Sequence, residues 1–371
     1  LFGLALLAGS MANASTLAEE KEQLRRHAMA ELVSRLGLRE SSVASRDLPG
    51  WRKVERVVAR YPVERIAELQ TVAPGVEVVA VEDEAQALAA VEGAQALLGF
   101  CTPKLLEKGA ALHWVQVYSS GVERCVVLPG LQTGDKLLTN GQRIGSPALA
   151  EHAIAMMRAL ARGLDRYYVN QLEGAWQRRV DLGQGEFLEL AGRTVLVVGL
   201  GGIGTQVARR AHGLGMRVIA TRGSRREGPD FVDYVGLGDE TLDLARQADV
   251  VINAAPLTDR TRGMFDAAFF KAMKPTAYFI SVGRGQSTVT EDLVAALEAG
   301  ELAGAGLDVT DPEPLPAGHP LWRTPRVIIT PHTAGRSDRS RERLFLLVQE
   351  NLRRYVAGEP LYSVVDIERG Y

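Results

Sequence analysis

The sequence has few cysteines, almost no net charge and no long hydrophobic run. Its 371 residues include two cysteines, Cys101 and Cys125, which excludes a disulfide-rich scaffold and a cysteine-rich metal centre. Apolar residues flank both, so we predict that each is a small buried side chain, while a single disulfide between them stays open. No metal site is expected.

The charge and composition limit the partners of the chain. The formal net charge is −2, which gives no electrostatic reason to expect nucleic acid or an anionic membrane. Hydrophobic residues make up 46% of the chain, enough for a sizeable core. At this length we expect two domains and no contact with nucleic acid or membrane.

The first apolar run, residues 1–8, is too short to span a bilayer. It is followed by Ala12, Asn13 and Ala14, which match the A-x-A pattern of a signal-peptide cleavage site. We therefore predict residues 1–14 as the end of an export signal, which would direct the protein to the periplasm or outside the cell. The alternative is a disordered tail or a short packing segment of a cytoplasmic protein.

A βαβ unit is predicted between residues 194 and 222. Residues 194–198 form a β-branched apolar run typical of a buried parallel strand, residues 205–214 have helical composition, and residues 217–220 predict the next strand. Three glycines in a G-x-G-x-x-G spacing separate the first strand from the helix. The context favours a dinucleotide-binding turn over an ordinary glycine-rich turn.

Each glycine has a physical role in such a turn. Gly199 allows the tight turn, Gly201 lets the backbone approach a pyrophosphate, and Gly204 lets the helix pack on the strand. The N–H groups at the start of the helix then face the phosphates. We predict cofactor contacts from Gly199, Gly201, Gly202, Ile203 and Gly204.

No carboxylate follows the second strand of this unit. An Asp or Glu there would accept hydrogen bonds from the ribose 2′-hydroxyl of NAD, but the chain reads TRGSRR (221–226). Guanidinium groups bind phosphate oxygens through paired hydrogen bonds. We predict that Thr221, Arg222, Ser224 and Arg225 contact the cofactor and that NADP(H) is preferred, with NAD(H) possible. A solvated basic loop is the alternative.

Strands alternate with helices along most of the chain. Residues 15–51 predict a helical N-terminal extension, and residues 52–150 a first α/β domain. Residues 151–334 predict a dinucleotide-binding domain with a doubly wound parallel sheet. One long helix over residues 146–168 is expected to link the two domains.

Three predicted strands of the second domain are followed by reactive side chains, Arg284, Glu313 and His332. In a doubly wound sheet, ligands bind beyond the carboxyl ends of the strands. A guanidinium can hold a carboxylate, an imidazole can move a proton to or from a substrate oxygen, and a carboxylate can orient that imidazole. Singly, each residue also fits a structural role, but the combination favours chemistry on a 2-oxo acid.

Longer motifs resemble the D-isomer-specific 2-hydroxyacid dehydrogenase family over about residues 52–365, and within it the NADP-preferring glyoxylate and hydroxypyruvate reductases. They are VQVYSSGVERC (115–125), TNGQRIGSPALAEHAIAMM (139–157), VVGLGGIGTQVARR (197–210), NAAPLTDRTRGMF (253–265), SVGRGQ (281–286), ELAGAGLDVTDPEPLP (301–316) and TPHTAG (330–335). The chain departs from the family pattern at Arg222, where many members carry Asp, and in its extension. Glu313 argues against the formate dehydrogenase branch, which has Gln there.

The resemblance implies α/β architecture with two Rossmann-like doubly wound parallel-sheet domains and the active site in the cleft between them, residues 335–371 completing the first domain. It implies that Arg284, Glu313 and His332 are catalytic. Substrate binding is implied for Ser119, Ser120, Gly121 and Arg284. Further cofactor contacts are implied for Ala255, Pro256, Thr261, Val282, Gly283 and Asp308. A homodimer formed through the nucleotide domain and the arm near Trp176 is implied as well.

We therefore predict an oxidoreductase that transfers a hydride between NADP(H) and a small 2-oxo acid or D-2-hydroxy acid, such as glyoxylate, hydroxypyruvate or pyruvate. Two alternatives stay open at this point. The substrate of the same reaction could be a larger or phosphorylated hydroxy acid. The chain could also be a non-catalytic, nicotinamide-sensing binding protein that keeps the fold.

Overall fold

The computed structural model describes residues 2–184 and 186–370, with side chains from residue 19 onward. The predicted export signal, residues 1–14, lies outside the residues whose side chains are described, and it stays a prediction. The chain divides into two units, Leu1–Ile144 with Asp338–Tyr371 and Gly145–Ser337. The domain bounds predicted from sequence, at 150/151 and 334/335, stay predictions.

The first unit contains a five-stranded parallel sheet. Its elements before residue 145 are α1 (Phe2–Leu36), β1 (Arg56–Ala59), α2 (Val63–Val72), β2 (Glu77–Ala80), α3 (Glu84–Ala90), β3 (Ala96–Leu98), α4 (Pro103–Lys108), β4 (Trp114–Gln116), α5 (Glu123–Val126), α6 (Pro129–Gln132) and β5 (Leu137–Thr139). The strand order is β2-β1-β3-β4-β5. In the interior strand β1, Val57 and Val58 are fully buried, because helices cover both faces of a parallel sheet.

The second unit contains a seven-stranded parallel sheet. Its elements are α7 (Ser146–Ala161), α8 (Leu164–Leu172), β6 (Thr194–Val198), α9 (Gly202–Gly213), β7 (Arg217–Arg222), β8 (Tyr234–Leu237), α10 (Thr241–Ala245), β9 (Val250–Asn253), α11 (Ala267–Ala272), β10 (Tyr278–Ser281), α12 (Thr290–Glu298), β11 (Gly304–Leu307) and β12 (Val327–Ile329). The order is β12-β11-β10-β9-β6-β7-β8, and every neighbouring pair is parallel. The prediction of two parallel-sheet α/β domains is confirmed.

The single helix predicted over residues 146–168 is wrong, because the chain turns between α7 and α8. Gly163 has φ +62°, a left-handed conformation that favours glycine. A Cβ at this position would come within 3.1 Å of Leu182 and 3.2 Å of Phe187. The apolar spacing continues across the turn, so periodicity alone does not reveal the break.

The last helix, α13 (Ser340–Ala357), belongs to the first unit. Its buried side chains Val348, Leu352 and Tyr355 join the core beneath the five-stranded sheet. The N-terminal extension packs on it too. Met29 and Leu32 of α1 lie in one cluster with Leu347 and other residues of the first unit. The extension is therefore an integral layer of this unit.

Two further expectations concern the cysteines and the membrane. Cys101 and Cys125 are paired as a disulfide with their Cα atoms 5.9 Å apart, a separation typical of such bonds. The two cysteines therefore form the single disulfide that the sequence left open, and they are not the two separate buried thiols that we predicted. Among the residues described, no helix combines the length and the apolar character that crossing a bilayer requires.

Candidate active site

The predicted site residues of the second unit follow the carboxyl ends of its parallel strands. Arg284 comes after β10, Glu313 after β11 and His332 after β12, and these three strands are neighbours in the sheet. The glycine turn follows β6 at the same edge. Since all strands are parallel, their carboxyl ends meet at one edge, where doubly wound sheets bind ligands.

The glycine turn shows why three glycines are needed. A Cβ at Gly199, which has φ +93°, would lie 2.7 Å from the Cα of Ala255, and a Cβ at Gly204 would collide with the carbonyl oxygen of Gly199. Packing within the protein therefore requires these two. A Cβ at Gly201 would meet no heavy atom within 4 Å. Its backbone faces open space, which fits the approach of a pyrophosphate to the N-terminus of α9.

The buried side-chain amide of Asn253 links the segments beside this turn, and it was not among the predicted site residues. The Asn253 Nδ2 group donates to Ser281 Oγ at 3.1 Å and to Ser287 Oγ at 2.8 Å, and its Oδ1 accepts from the Ala255 N–H at 3.1 Å. These bonds tie the end of β9 to the segment that carries Val282 and Gly283. The available signal was its position as the first residue of the NAAPLTDRTRGMF motif.

The predicted cofactor residues Pro256 and Thr261 belong to the loop after β9. Thr261 Oγ1 donates to the Pro256 carbonyl at 2.6 Å and accepts from the Thr258 N–H at 2.8 Å. The loop is thus closed on itself by one hydroxyl. Its contact with a cofactor stays a prediction.

The basic segment after β7 divides into two parts. Arg222 ends the strand, and Ser224 and Arg225 follow on an exposed turn. Arg226 forms an ion pair with the carboxylate of Glu240 at 2.7 Å. The Leu237 N–H, the Tyr234 hydroxyl and Arg226 all donate to Glu240 and lower its pKa to about 2. The NADP interpretation therefore depends on Arg222 and Arg225.

His332 and Glu313 are in direct contact. His332 Nδ1 lies 2.6 Å from Glu313 Oε1, with side chains 46% and 41% exposed. An ionised carboxylate only accepts hydrogen bonds, so Nδ1 carries the proton and Nε2 is left for a second partner. Arg284 is half-buried on the neighbouring loop, where its Nη1 donates to the Gly283 carbonyl at 2.9 Å. The His332–Glu313 pair suits proton transfer at Nε2, and Arg284 supplies a cationic group at the same edge of the sheet.

Asp308 is buried beneath the His332 turn. Its carboxylate accepts from Thr330 Oγ1 at 2.6 Å, from the Thr333 N–H at 2.9 Å and from the Ala334 N–H at 3.0 Å. The side chain has no exposed surface. Its predicted contact with a cofactor stays a prediction, whereas its contacts with the turn are part of the structure.

Known proteins share this architecture and sequence. A family model described as D-isomer specific 2-hydroxyacid dehydrogenase, NAD binding domain, matches residues 154–334. Glyoxylate reductase/hydroxypyruvate reductase from Homo sapiens is 32% identical over 264 residues, covering 69% of this chain and 77% of that protein. Glyoxylate reductase from Korarchaeum cryptofilum is 34% identical over 270 residues, covering 71% and 79%.

A solved structure agrees with these relatives. The NADPH-dependent glyoxylate/hydroxypyruvate reductase from Sinorhizobium meliloti, in complex with NADP and sulfate, matches with a TM-score of 0.73 at 28% identity, covering 85% of this chain and all of that one. The chain belongs to the D-isomer specific 2-hydroxyacid dehydrogenase family. It is an oxidoreductase that acts on CH–OH donors and uses a nicotinamide cofactor.

The predicted substrate loop of this dehydrogenase lies in the first unit. Ser119 Oγ donates to the Gly121 carbonyl at 2.7 Å and Ser120 Oγ to the Gly141 carbonyl at 3.0 Å. The Asn140 side-chain amide donates to the Ser120 carbonyl at 2.8 Å. These bonds brace the turn, and its role in holding a substrate carboxylate stays a prediction.

Proposed function

We propose that this dehydrogenase reduces small 2-oxo acids to D-2-hydroxy acids with NADPH. The observation that carries the proposal is the 2.6 Å contact between His332 Nδ1 and Glu313. It fixes an imidazole at the carboxyl edge of the nucleotide-binding sheet, with Nε2 left to exchange a proton. An imidazole so oriented is a general acid in reduction and a general base in oxidation.

The residues divide the work of the reaction. Arg284 holds the substrate carboxylate and polarises the carbonyl through its guanidinium. A nicotinamide cofactor held at the glycine turn would supply the hydride for the carbonyl carbon. His332 Nε2 gives its proton to the oxygen that becomes the hydroxyl, and Glu313 orients the ring and stabilises the imidazolium that carries this proton before the transfer. Hydride and proton together convert C=O to CH–OH.

The preference for NADP(H) rests on local chemistry. Arg222 ends β7, and Ser224 and Arg225 follow it, at the place where NAD-binding domains carry the carboxylate that accepts from the ribose 2′-hydroxyl. The similar protein from Sinorhizobium meliloti is NADPH-dependent by its description. A 2′-phosphate beside two guanidinium groups and one hydroxyl gains charge-assisted hydrogen bonds that a 2′-hydroxyl does not.

Glyoxylate and hydroxypyruvate are the substrates that we place first. The human relative is named for both acids, and the one from Korarchaeum cryptofilum is named for glyoxylate. A phosphorylated or larger acid is the alternative within the same reaction, and a substrate panel separates the two.

We also propose that the protein is a homodimer formed through the nucleotide-binding domain and the arm near Trp176. Trp176 is 93% exposed, and Tyr168, Leu172 and Phe187 are exposed nearby in the chain. Large apolar side chains concentrated on one exposed segment are typical of a protein interface. Light scattering on the wild type and on Trp176→Ser tests this. A monomeric wild type would contradict it.

The test of the function follows absorbance of the reduced nicotinamide while purified protein is mixed with glyoxylate, hydroxypyruvate, pyruvate or a phosphorylated 2-oxo acid. Each acid is run with NADPH and with NADH. Faster oxidation of NADPH supports both the reaction and the role of Arg222 and Arg225. Faster oxidation of NADH contradicts the cofactor preference alone. Binding of both cofactors without turnover of any acid contradicts the reaction and favours a nicotinamide-sensing protein.

A further inference from the structure

The conformation of His332 needs an explanation that the catalytic trio does not provide. Its φ is +52°, in the left-handed region that side chains other than glycine seldom adopt. Such a conformation persists only where the surroundings hold it. The contact with Glu313 holds the ring, so something else must hold the backbone of the turn.

Asp308 holds that backbone from below. Its carbonyl oxygen accepts from the His332 N–H at 2.8 Å, while its carboxylate accepts from the N–H groups of Thr333 and Ala334. Three consecutive N–H groups therefore bind one buried residue. The orientation of the carboxylate determines the shape of the turn that presents His332.

The orientation of this carboxylate depends in turn on a hydroxyl. Thr330 Oγ1 lies 2.6 Å from Asp308 Oδ1 and 2.8 Å from His152 Nε2. A hydroxyl has one proton, and the ionised carboxylate needs it as a donor. Thr330 therefore accepts from His152, so Nε2 of His152 carries a proton. The directions of both hydrogen bonds follow from the chemistry of the groups.

The backbone position of His152 is fixed by the helix that carries it. It lies on α7, whose neighbouring residues Ala150, Ala153 and Met157 are fully buried in the core of the second unit. The backbone of His152 is therefore fixed by packing that does not involve the site. The imidazole transmits that fixed position to the Thr330 hydroxyl.

We propose that His152 and Thr330 are positioning residues for His332, acting through the carboxylate of Asp308. The proposal rests on the proposed function in that it takes His332 as the group that exchanges a proton with the substrate. It predicts that losing either hydrogen bond displaces the imidazole from its productive orientation while cofactor binding at the glycine turn is preserved. Displacement of a reacting group by about 1 Å can reduce turnover by about a hundredfold.

Matched variants separate positioning from simple packing. Thr330→Val removes the hydroxyl at nearly constant shape, and Thr330→Ser keeps it. His152→Leu removes the donor, and His152→Gln retains an N–H at the end of a side chain. We expect kcat to fall by about tenfold to a hundredfold in Thr330→Val and His152→Leu. In Thr330→Ser we expect kcat to stay within about threefold of wild type. In His152→Gln we expect kcat to recover part of what His152→Leu loses. NADPH binding, followed by fluorescence titration, should fall much less than kcat in all four, because the contacts of the glycine turn are untouched and only the predicted contact of Asp308 is affected.

A second measurement does not depend on turnover. Side-chain ¹⁵N spectra of the full-length protein report the tautomer and hydrogen bonding of each imidazole. We expect the signal of the His332 Nδ1–H bonded to Glu313 in wild type and Thr330→Ser, and its shift or broadening in Thr330→Val and His152→Leu. If the wild type turns over no 2-oxo acid but these spectral differences hold, the proposed reaction fails and the positioning stands. If Thr330→Val and His152→Leu keep the wild-type His332 signal, the proposal is overturned, whatever the activity.

Discussion

Two carboxylates in this molecule make short contacts with a guanidinium or an imidazole side chain. One of these contacts is buried and the other is exposed to solvent. Glu350, on α13, has 8% of its side chain exposed and contacts Arg25 at 2.6 Å and Arg354 at 2.8 Å. Glu313 has 41% of its side chain exposed and contacts His332 at a similar distance, 2.6 Å. The short contacts are alike, and the difference lies in access to solvent and to small molecules.

The difference determines what each carboxylate can do. Burial alone would raise the pKa of Glu350, but hydrogen bonds from Arg353, Arg25 and Arg354 outweigh it and lower the pKa to about 2. Its charge is therefore fixed, and it fastens the N-terminal extension to α13. Glu313 is open at the edge of the sheet, where its partner can reach a substrate. A buried ionic cluster suits structural specificity, and an exposed pair suits proton exchange.

The largest expected effect is the loss of the imidazole from the exposed pair. His332→Ala should lower kcat by about 10²–10⁴-fold, the usual contribution of a general acid or base. The side chain is half exposed, so the thermal midpoint and NADPH affinity should stay near wild type. Steady-state kinetics with the best substrate of the panel, together with a thermal melt, measure both. Near-wild-type turnover would falsify the assigned role.

Breaking the buried cluster should have the opposite signature. Glu350→Gln leaves the cationic partners without a compensating charge, and removal of one partner of a buried pair costs about 3–5 kcal/mol of unfolding free energy. Urea unfolding measures the loss, and kcat of the folded protein should not change. Glu359→Gln is the matched control, since Glu359 contacts Arg353 at 2.6 Å at the exposed margin of the same cluster. There we expect about 0–1 kcal/mol. Equal losses in both variants would contradict the role of burial.

The corresponding change in the exposed pair should affect kinetics more than stability. Glu313→Gln keeps an acceptor for His332 Nδ1 but removes the negative charge. We expect kcat to fall by up to about a hundredfold because the imidazole is less well oriented and its charged form is less stabilised. NADPH binding should be retained. An unchanged kcat together with a lowered thermal midpoint would show that Glu313 is structural.

Acid should reveal the buried cluster. The pKa of Glu350 is about 2 in the folded protein against an ordinary 4.5. Because it is lowered on folding, its stabilising contribution is present above about pH 4.5 and is lost as the pH falls toward 2. The difference in unfolding free energy between wild type and Glu350→Gln should therefore narrow from about pH 6 to about pH 3. A constant difference over this range would mean that Glu350 is not the titrating group.

The sequence predicts the exposed part of this comparison better than the buried part. The glycine spacing and the side chains after β10, β11 and β12 are local signals, since residues at strand ends are recognisable from neighbouring residues. The hydrogen bond between His152 and Thr330 joins residues 178 positions apart, and the ion pair of Arg25 with Glu350 joins residues 325 apart. Neither has a local pattern.

Local patterns also misled where packing determined the backbone. The amphipathic spacing predicted one helix through Gly163, whose neighbours Leu182 and Phe187 come from a segment with no regular structure. Arg226 belongs to the basic run after β7, but its partner Glu240 follows a strand, β8, that was not predicted. In each case the decisive contact is made by a residue that the local pattern does not contain.

The variant with the smallest expected effect tests whether the stability that an ionic contact contributes follows from the lowered pKa of its carboxyl group or from its burial. Glu240 shares with Glu350 a pKa of about 2, but its partner Arg226 has 53% of its side chain exposed. Solvent screens the attraction within such an exposed pair. When the pair breaks, water hydrates both charged groups. Arg226→Gln should therefore leave the thermal midpoint within replicate error and kcat unchanged. A loss of stability like that of Glu350→Gln would mean that the lowered pKa, rather than burial, measures what an ionic contact contributes in this protein.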